Sequence, residues 1–222
     1  MLGRAIILAT LGLSVTACGA VPGGSAPDRG GPQSTSRPVA VTPDAQTCLA
    51  ELNETGSRFL PLPDRYDGPG CAITGAVQMS AVRGDAGDLG VSNIGAVQCP
   101  TARVFVAWAR FGVDRAARQI LGSPIARIET MGSYSCRNVA GSSRRSAHAT
   151  AQAIDIGAFV LEDGTRIDVQ SDWSGGTREE HEFLRVVHNS ACRRFGTVLG
   201  PDYNAAHRDH FHVEISGGGF CR

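Results

Sequence analysis

Near its C-terminus the chain alternates in polarity. In "HRDHFHVEI" (207–215), Phe211, Val213 and Ile215 fall on one side of a strand, and His210, His212 and Glu214 on the other. One face reads as core and the other as a site. A half-buried edge strand with solvated histidines would show the same alternation, but two histidines at i, i+2 beside His207 and Asp209 favour the site. Helical spacing dominates "CPTARVFVAWARFGVDRAARQILG" (99–122), where Pro100 suits the first turn, Val104, Trp108 and Phe111 recur on one side, and Gly122 stops the run. Its aromatic residues read as core. "TREEHEFLRVVHNSACRRF" (177–195) predicts a second helix, with Thr177 and Glu180 in a capping box and Phe183, Leu184 and Val187 as its apolar face. His181 and His188 on that helix read as surface or packing residues. "DAQTCLAELNETG" (44–56) predicts a short helix capped by Asp44 and ended by Gly56.

Strands are expected at Ala72–Val82 and Ile125–Met131. A hairpin is expected in "AIDIGAFVLEDGTRIDV" (153–169) with Asp163-Gly164 as its turn, and short strands at Gly196–Leu199 and His210–Ser216. A loop rich in Ser, Gly and Arg separates Met131 from the hairpin. The predicted class is α+β, an antiparallel sheet with flanking helices.

The 222 residues suffice for one sizeable domain plus an appendage. The 21 cationic residues, all arginine, balance 21 acidic ones, so no basic stripe points to nucleic acid. Arg4 followed by an apolar stretch from Ala5 to Leu13, with small residues before Cys18, reads as a secretory signal over residues 1–17, too short to span a bilayer. "VTAC" resembles a bacterial lipobox, which makes Cys18 a lipid anchor, although cleavage after Ala17 by the ordinary signal enzyme fits the same residues. Gly19, not being Asp, implies by that resemblance an outer-membrane lipoprotein facing the periplasm. Residues 18–43 are Gly, Pro, Ser, Arg and Thr with almost no large apolar residue, the composition of a flexible tether. The folded domain is expected over 44–222.

Six further cysteines, Cys48, Cys71, Cys99, Cys136, Cys192 and Cys221, suggest three disulfides in an exported chain. No C-x-x-C pair argues for thiolate zinc. Sequence alone leaves the pairing open; joining neighbouring segments favours Cys48–Cys71, Cys99–Cys136 and Cys192–Cys221.

"SAHATAQAIDI" (146–156) adds His148 and Asp155, seven residues apart, with Asp155 at the start of the hairpin. A loop histidine, a strand carboxylate and a histidine from a neighbouring strand can supply two nitrogens and one oxygen to a metal. Three such ligands with a fourth position left for water describe catalytic zinc, whereas calcium or magnesium would take more oxygens.

These residues carry a resemblance. "SAHATAQAID" followed by "HFHVE" resembles the zinc-binding pattern of the D-Ala-D-Ala carboxypeptidase-like, or hedgehog/DD-peptidase, fold. Nearly all of the chain from Cys48 resembles the bacterial extensin-like C-terminal domain family, through "CLAELNETGSRFLPLPD", "GCAITGAVQMS", "GSYSCRN", "HATAQAIDIGAFVLEDG", "ACRRFGTVLGPDYNAAHRDHFHVEI" and "FCR". The resemblance implies that His148, Asp155 and His212 hold Zn2+ and that His210 either supports the ligands from behind or acts in proton transfer. His207 matches a further histidine of related murein endopeptidases. Asp209 stands where related enzymes carry a glutamate base, although strict strand parity points it away from His212. "SYSCRN" is similar to an element whose arginine faces the substrate, which Arg137 matches, with Tyr134 nearby. Two departures are Ala151 in place of the usual Gly and Ala147 where relatives often carry Glu. The implied function is a zinc peptidase acting on peptidoglycan stem peptides; the alternative is a non-catalytic cell-wall-binding or structural lipoprotein that keeps the zinc.

Overall fold

The computed structural model describes residues 42–222. The expected signal peptide (1–17), Cys18 and nearly all of the tether lie outside the described residues. Four α-helices and twelve strands follow one another as α1 (Pro43–Glu54), β1 (Arg58–Pro61), β2 (Arg65–Gly68), β3 (Cys71–Ile73), β4 (Ala76–Arg83), β5 (Asp88–Ser92), β6 (Val97–Gln98), α2 (Cys99–Trp108), β7 (Ile125–Gly132), β8 (Ala153–Leu161), β9 (Arg166–Asp168), α3 (Val169–Gly175), α4 (Arg178–Cys192), β10 (Thr197–Leu199), β11 (Phe211–Glu214) and β12 (Phe220–Cys221). The mixed, largely antiparallel sheet has the order β1-β4-β5-β7-β8-β11-β10-β12, with β6 beside β4 and β9 beside β8. Only β5–β7 and β10–β12 run parallel. The β2–β3 hairpin forms a separate small sheet.

Local chemistry accounts for the helix ends. Thr177 and Glu180 close the capping box of α4 as expected. In α1 the cap is Thr42, whose hydroxyl accepts from the Ala45 N–H, while Pro43 takes the first turn. Asp44, the expected cap, therefore lies inside the first turn, where its charge still favours the helix N-terminus. The helix begun by α2 continues through wide π-type turns at Ala109–Asp114 and Ala117–Leu121 and ends at Gly122, whose φ is 73°. A Cβ on Gly112 would lie 2.2 Å from the Ser190 hydroxyl, so the missing side chain is what lets this helix approach α4 so closely. The strand expected over Ala72–Val82 is broken into β3 and β4 at Thr74-Gly75, where Gly75 has φ 53°.

The core lies between sheet and helices. Fully buried Trp108 packs edge-on against Phe159 and Phe195, and its Nε1–H donates to the Val187 carbonyl. Burying such a side chain contributes on the order of 4–6 kcal/mol of apolar transfer energy. Phe211 and Val213, the expected core face of β11, are fully buried, and Ile215 packs at the edge of the core.

Among the described residues three disulfides form, but only Cys192–Cys221 pairs as expected. The others are Cys48–Cys99 and Cys71–Cys136. Neighbours in sequence are not neighbours here: Cys99 opens α2, against which α1 packs, and the β2–β3 hairpin turns away from the main sheet toward the loop after β7.

Candidate metal centre

Strand register creates the centre. In the antiparallel β8–β11 pair, Asp155 lies directly opposite His212, and on the other side of β8 it faces Gly132 at the end of β7. Gly132 has φ 115° and releases the chain into the loop that begins with Ser133. The third residue, His148, sits in a 3-10 turn (Ala147–Thr150) opened by Ser146, whose side chain accepts from the His148 N–H, and closed by Ala151. Ala151 has φ 56°, so this position demands left-handed backbone, and that explains why glycine suits it better than small size does.

The three side chains meet tightly. His148 Nε2 lies 3.1 Å from His212 Nδ1 and 3.2 Å from Asp155 Oδ1, and His212 Nδ1 lies 2.9 Å from the same oxygen. A tetrahedral ion with bonds of about 2.0–2.1 Å would space its ligands about 3.3 Å apart, close to this triangle. Hydrogen bonding fixes which atoms face inward. His148 Nδ1 donates to the Ser133 carbonyl, which can only accept, and His212 Nε2 faces the Glu214 carboxylate at 3.2 Å. With both outward nitrogens protonated, the inward nitrogens of the neutral rings offer lone pairs, so three acceptors converge with no donor among them. That arrangement calls for a cation, and the donor set of two imidazoles and one carboxylate fits zinc.

Electrostatics point the same way. Burial opposes charge on His212, but the Asp155 and Glu214 carboxylates outweigh it and raise its pKa to about 9. Burial likewise opposes ionisation of Asp155, yet hydrogen bonds from His148 and His212 hold its carboxyl far below the ordinary range. A proton on His212 is what fills the centre when no metal does. Among the described ion pairs, Asp155, Asp209 and Glu214 face histidines alone, while the other paired carboxylates meet arginine.

The remaining expected residues gather round this triangle with differing intimacy. His210 is buried, with Nδ1 2.8 Å from Asp209 Oδ1 and Nε2 3.5 Å from Asp155 Oδ1. Asp209 thus grips His210 instead of pointing away along the strand, because β11 begins only at Phe211 and Asp209 belongs to the preceding turn. His207 closes a short 3-10 turn. Its Nδ1 donates to Asn204 Oδ1 at 2.8 Å, and its ring lies 5.3 Å from that of His210 and 5.8 Å from that of His212. Burial, with the charges of His210 and His212, lowers its pKa to about 4, and the charge of Arg137 adds to that effect. The exposed Arg137 is carried by the loop that the Cys71–Cys136 disulfide ties to the β2–β3 hairpin. Tyr134 does not reach into the centre but donates to Asp67 of that hairpin, with Arg65 over its ring.

The structure adds the Ser133 carbonyl, which orients His148, and Asn204, which holds His207. A glycine ending a strand just before Ser133 was the available signal for the first; nothing in the sequence marked the second. A second group, His188, Cys192 and Cys221, also lies within ligand distance, but the disulfide occupies both sulfurs. His188 instead packs between Trp173 and Phe211.

Among curated proteins and among solved structures, none matches this chain. A family model does: extensin-like protein C-terminus, over residues 46–222. The chain, whose candidate centre draws all its ligands from that span, belongs to the extensin-like C-terminal family.

Proposed function

We propose that this protein is a zinc-dependent hydrolase of amide bonds in peptidoglycan stem peptides, related to the hedgehog/DD-peptidase fold. The observation that carries the reading is the convergence of His148 Nε2, His212 Nδ1 and Asp155 Oδ1 with every outward ring nitrogen already engaged. These three residues would hold the ion. When bound, zinc acidifies water and polarises a carbonyl.

The chain's own residues supply the proton handling. Asp209 accepts from His210 Nδ1, which leaves Nε2 as the basic nitrogen beside Asp155, so His210 is the base and Asp209 its orienting partner. His210 returns the proton to the leaving amine. His207, neutral near pH 7, accepts hydrogen bonds at the rim and is a poor acid. Arg137, exposed and without an ion pair among the described residues, offers a planar cation to a substrate carboxylate or a developing oxyanion.

The setting is the periplasm. Three disulfides suit an oxidising compartment, and the N-terminal sequence reads as a lipidated tether from Cys18 to the outer membrane. The test is elemental analysis of the domain beside His148→Ala and His212→Ala, with peptidoglycan digestion assayed on the same samples. About one zinc per chain, lost in both variants, with released muropeptides, supports the enzyme. Zinc without product would instead mark a wall-binding or structural lipoprotein, and no zinc would remove both readings.

A further inference from the structure

We infer that Glu214 is a positioning residue for the metal centre, holding His212 by its far nitrogen in the tautomer and orientation that aim Nδ1 at the ion. This rests on the metal reading above, which uses Glu214 only as the acceptor behind His212, and deepens it by assigning that side chain a share of the metal affinity.

Glu214 lies two positions after His212, so strand alternation puts both on one face of β11. Its Oε2 is 3.2 Å from His212 Nε2, the nitrogen across the ring from the cluster. Glu214 is therefore behind the ligand and is not one of the converging atoms. It is itself held: the Ser216 hydroxyl donates to Oε1 at 2.9 Å, and Thr197, directly opposite in β10, keeps its own hydroxyl on the Ser216 carbonyl. The Glu214 side chain is 17% exposed and has no arginine partner among the described residues, which is an unfavourable place for a carboxylate unless a cation balances it. With Asp155 it brings the charge around two neutral imidazoles to minus two, the complement of a divalent ion.

The two ligating histidines are oriented differently. His148 is held by a backbone carbonyl that any sequence could supply, whereas His212 depends on this one side chain. A carboxylate behind a ligating imidazole fixes the ring and raises its basicity toward the metal. Glu214→Gln keeps an acceptor of the same shape but removes the charge, and Glu214→Leu removes both, so the pair separates orientation from electrostatics.

The experiment is zinc affinity of the intact disulfide-bonded domain, measured by competition with a chromogenic chelator, for the unsubstituted protein, Glu214→Gln, Glu214→Leu and Ser216→Ala. Visible spectra of the cobalt-loaded proteins report ligand geometry directly. Glu214→Leu is expected to bind zinc about 10–100-fold more weakly, Glu214→Gln by less, Ser216→Ala least, with cobalt bands altered in the two Glu214 variants. Ser216→Ala keeps the test open if a Glu214 variant does not fold. Equal affinities within about twofold and unchanged spectra, in a protein that does bind zinc, would overturn the positioning role alone. An unsubstituted protein that takes up no zinc would overturn the metal reading and this role with it.

Discussion

Stripping metal from the domain and raising the pH isolates the proton that His212 carries in the metal-free centre. His212 has its pKa raised from 6.5 to about 9 by Asp155 and Glu214 against the opposing effect of burial. A group whose folded pKa is raised contributes fully below its unfolded value and loses that contribution as pH climbs through the folded value. The window is therefore pH 6.5 to 9. At 1.36 kcal/mol per pH unit the loss amounts to at most about 3 kcal/mol. For a domain of this size that corresponds to a fall in Tm of roughly 6–12 °C. The assay is thermal unfolding in chelator across that range, disulfides intact, beside His212→Gln and a zinc-saturated sample. The zinc sample should stay flat, since a metal replaces the proton and at a hundredfold excess over Kd adds about 2.7 kcal/mol. A metal-free Tm that does not fall between pH 6.5 and 9, or falls as steeply in His212→Gln, would refute the argument.

On the acid side the sign reverses. Burial lowers the pKa of His188, and burial with neighbouring charge lowers that of His207 to about 4, so both leave stability unchanged above pH 6.5, where the ring is neutral folded or unfolded, and oppose folding as pH falls below 6.5; metal-free stability should peak near pH 6.5. Replacing both Cys71 and Cys136 by Ser should cost about 2–5 kcal/mol in denaturant melts and weaken zinc retention, because the bridge ties down the loop containing Ser133 and Arg137; zinc affinity unchanged in this variant would disconnect the loop from the centre. Thr177→Ala should lower stability by about 1 kcal/mol through the lost cap of α4, read by urea unfolding. At Ala151, relief of left-handed strain in Ala151→Gly is offset by a lost buried methyl and added chain entropy, so stability should change by less than about 1 kcal/mol. Ala151→Val, β-branched at φ 56° in a fully buried position, should cost more and loosen His148; a valine variant as stable as the parent would show that the turn adapts.

Much of the architecture was legible because it is local. Helical spacing from Val104 to Phe111, the Thr177–Glu180 box, the Asp163-Gly164 turn and the alternation through β11 each depend on residues a few positions apart, and each element formed. Phe111, expected in the core with Phe105 and Trp108, is instead 44% exposed, its ring covered by Arg110 and Arg115, because the turns widen after Trp108 and shift the face it presents. A local rule failed where a neighbour intervened: Thr42 outcompeted Asp44 as a cap because Pro43 belongs in the first turn; strand parity does not apply to Asp209, which precedes β11 and bonds to His210. The residue types of the centre were likewise visible in "SAHATAQAID" and "HRDHFHVEI", since imidazoles and carboxylates in such density have few uses besides chemistry.

Tertiary structure alone decided the rest. Spacing along the chain carries no information on the register that sets Asp155 opposite His212, on the loop that brings the Ser133 carbonyl to His148, or on the pairing of Cys48 with Cys99 and Cys71 with Cys136. Those contacts join segments 15 to 65 residues apart, and packing of the whole core, not local propensity, selects among the ways of closing such loops. Glu214 shows both sides of the division. The sequence put it two positions from His212 on the same face, but which nitrogen of that ring it meets was decided by Asp155 of β8, which lies opposite His212 and takes Nδ1.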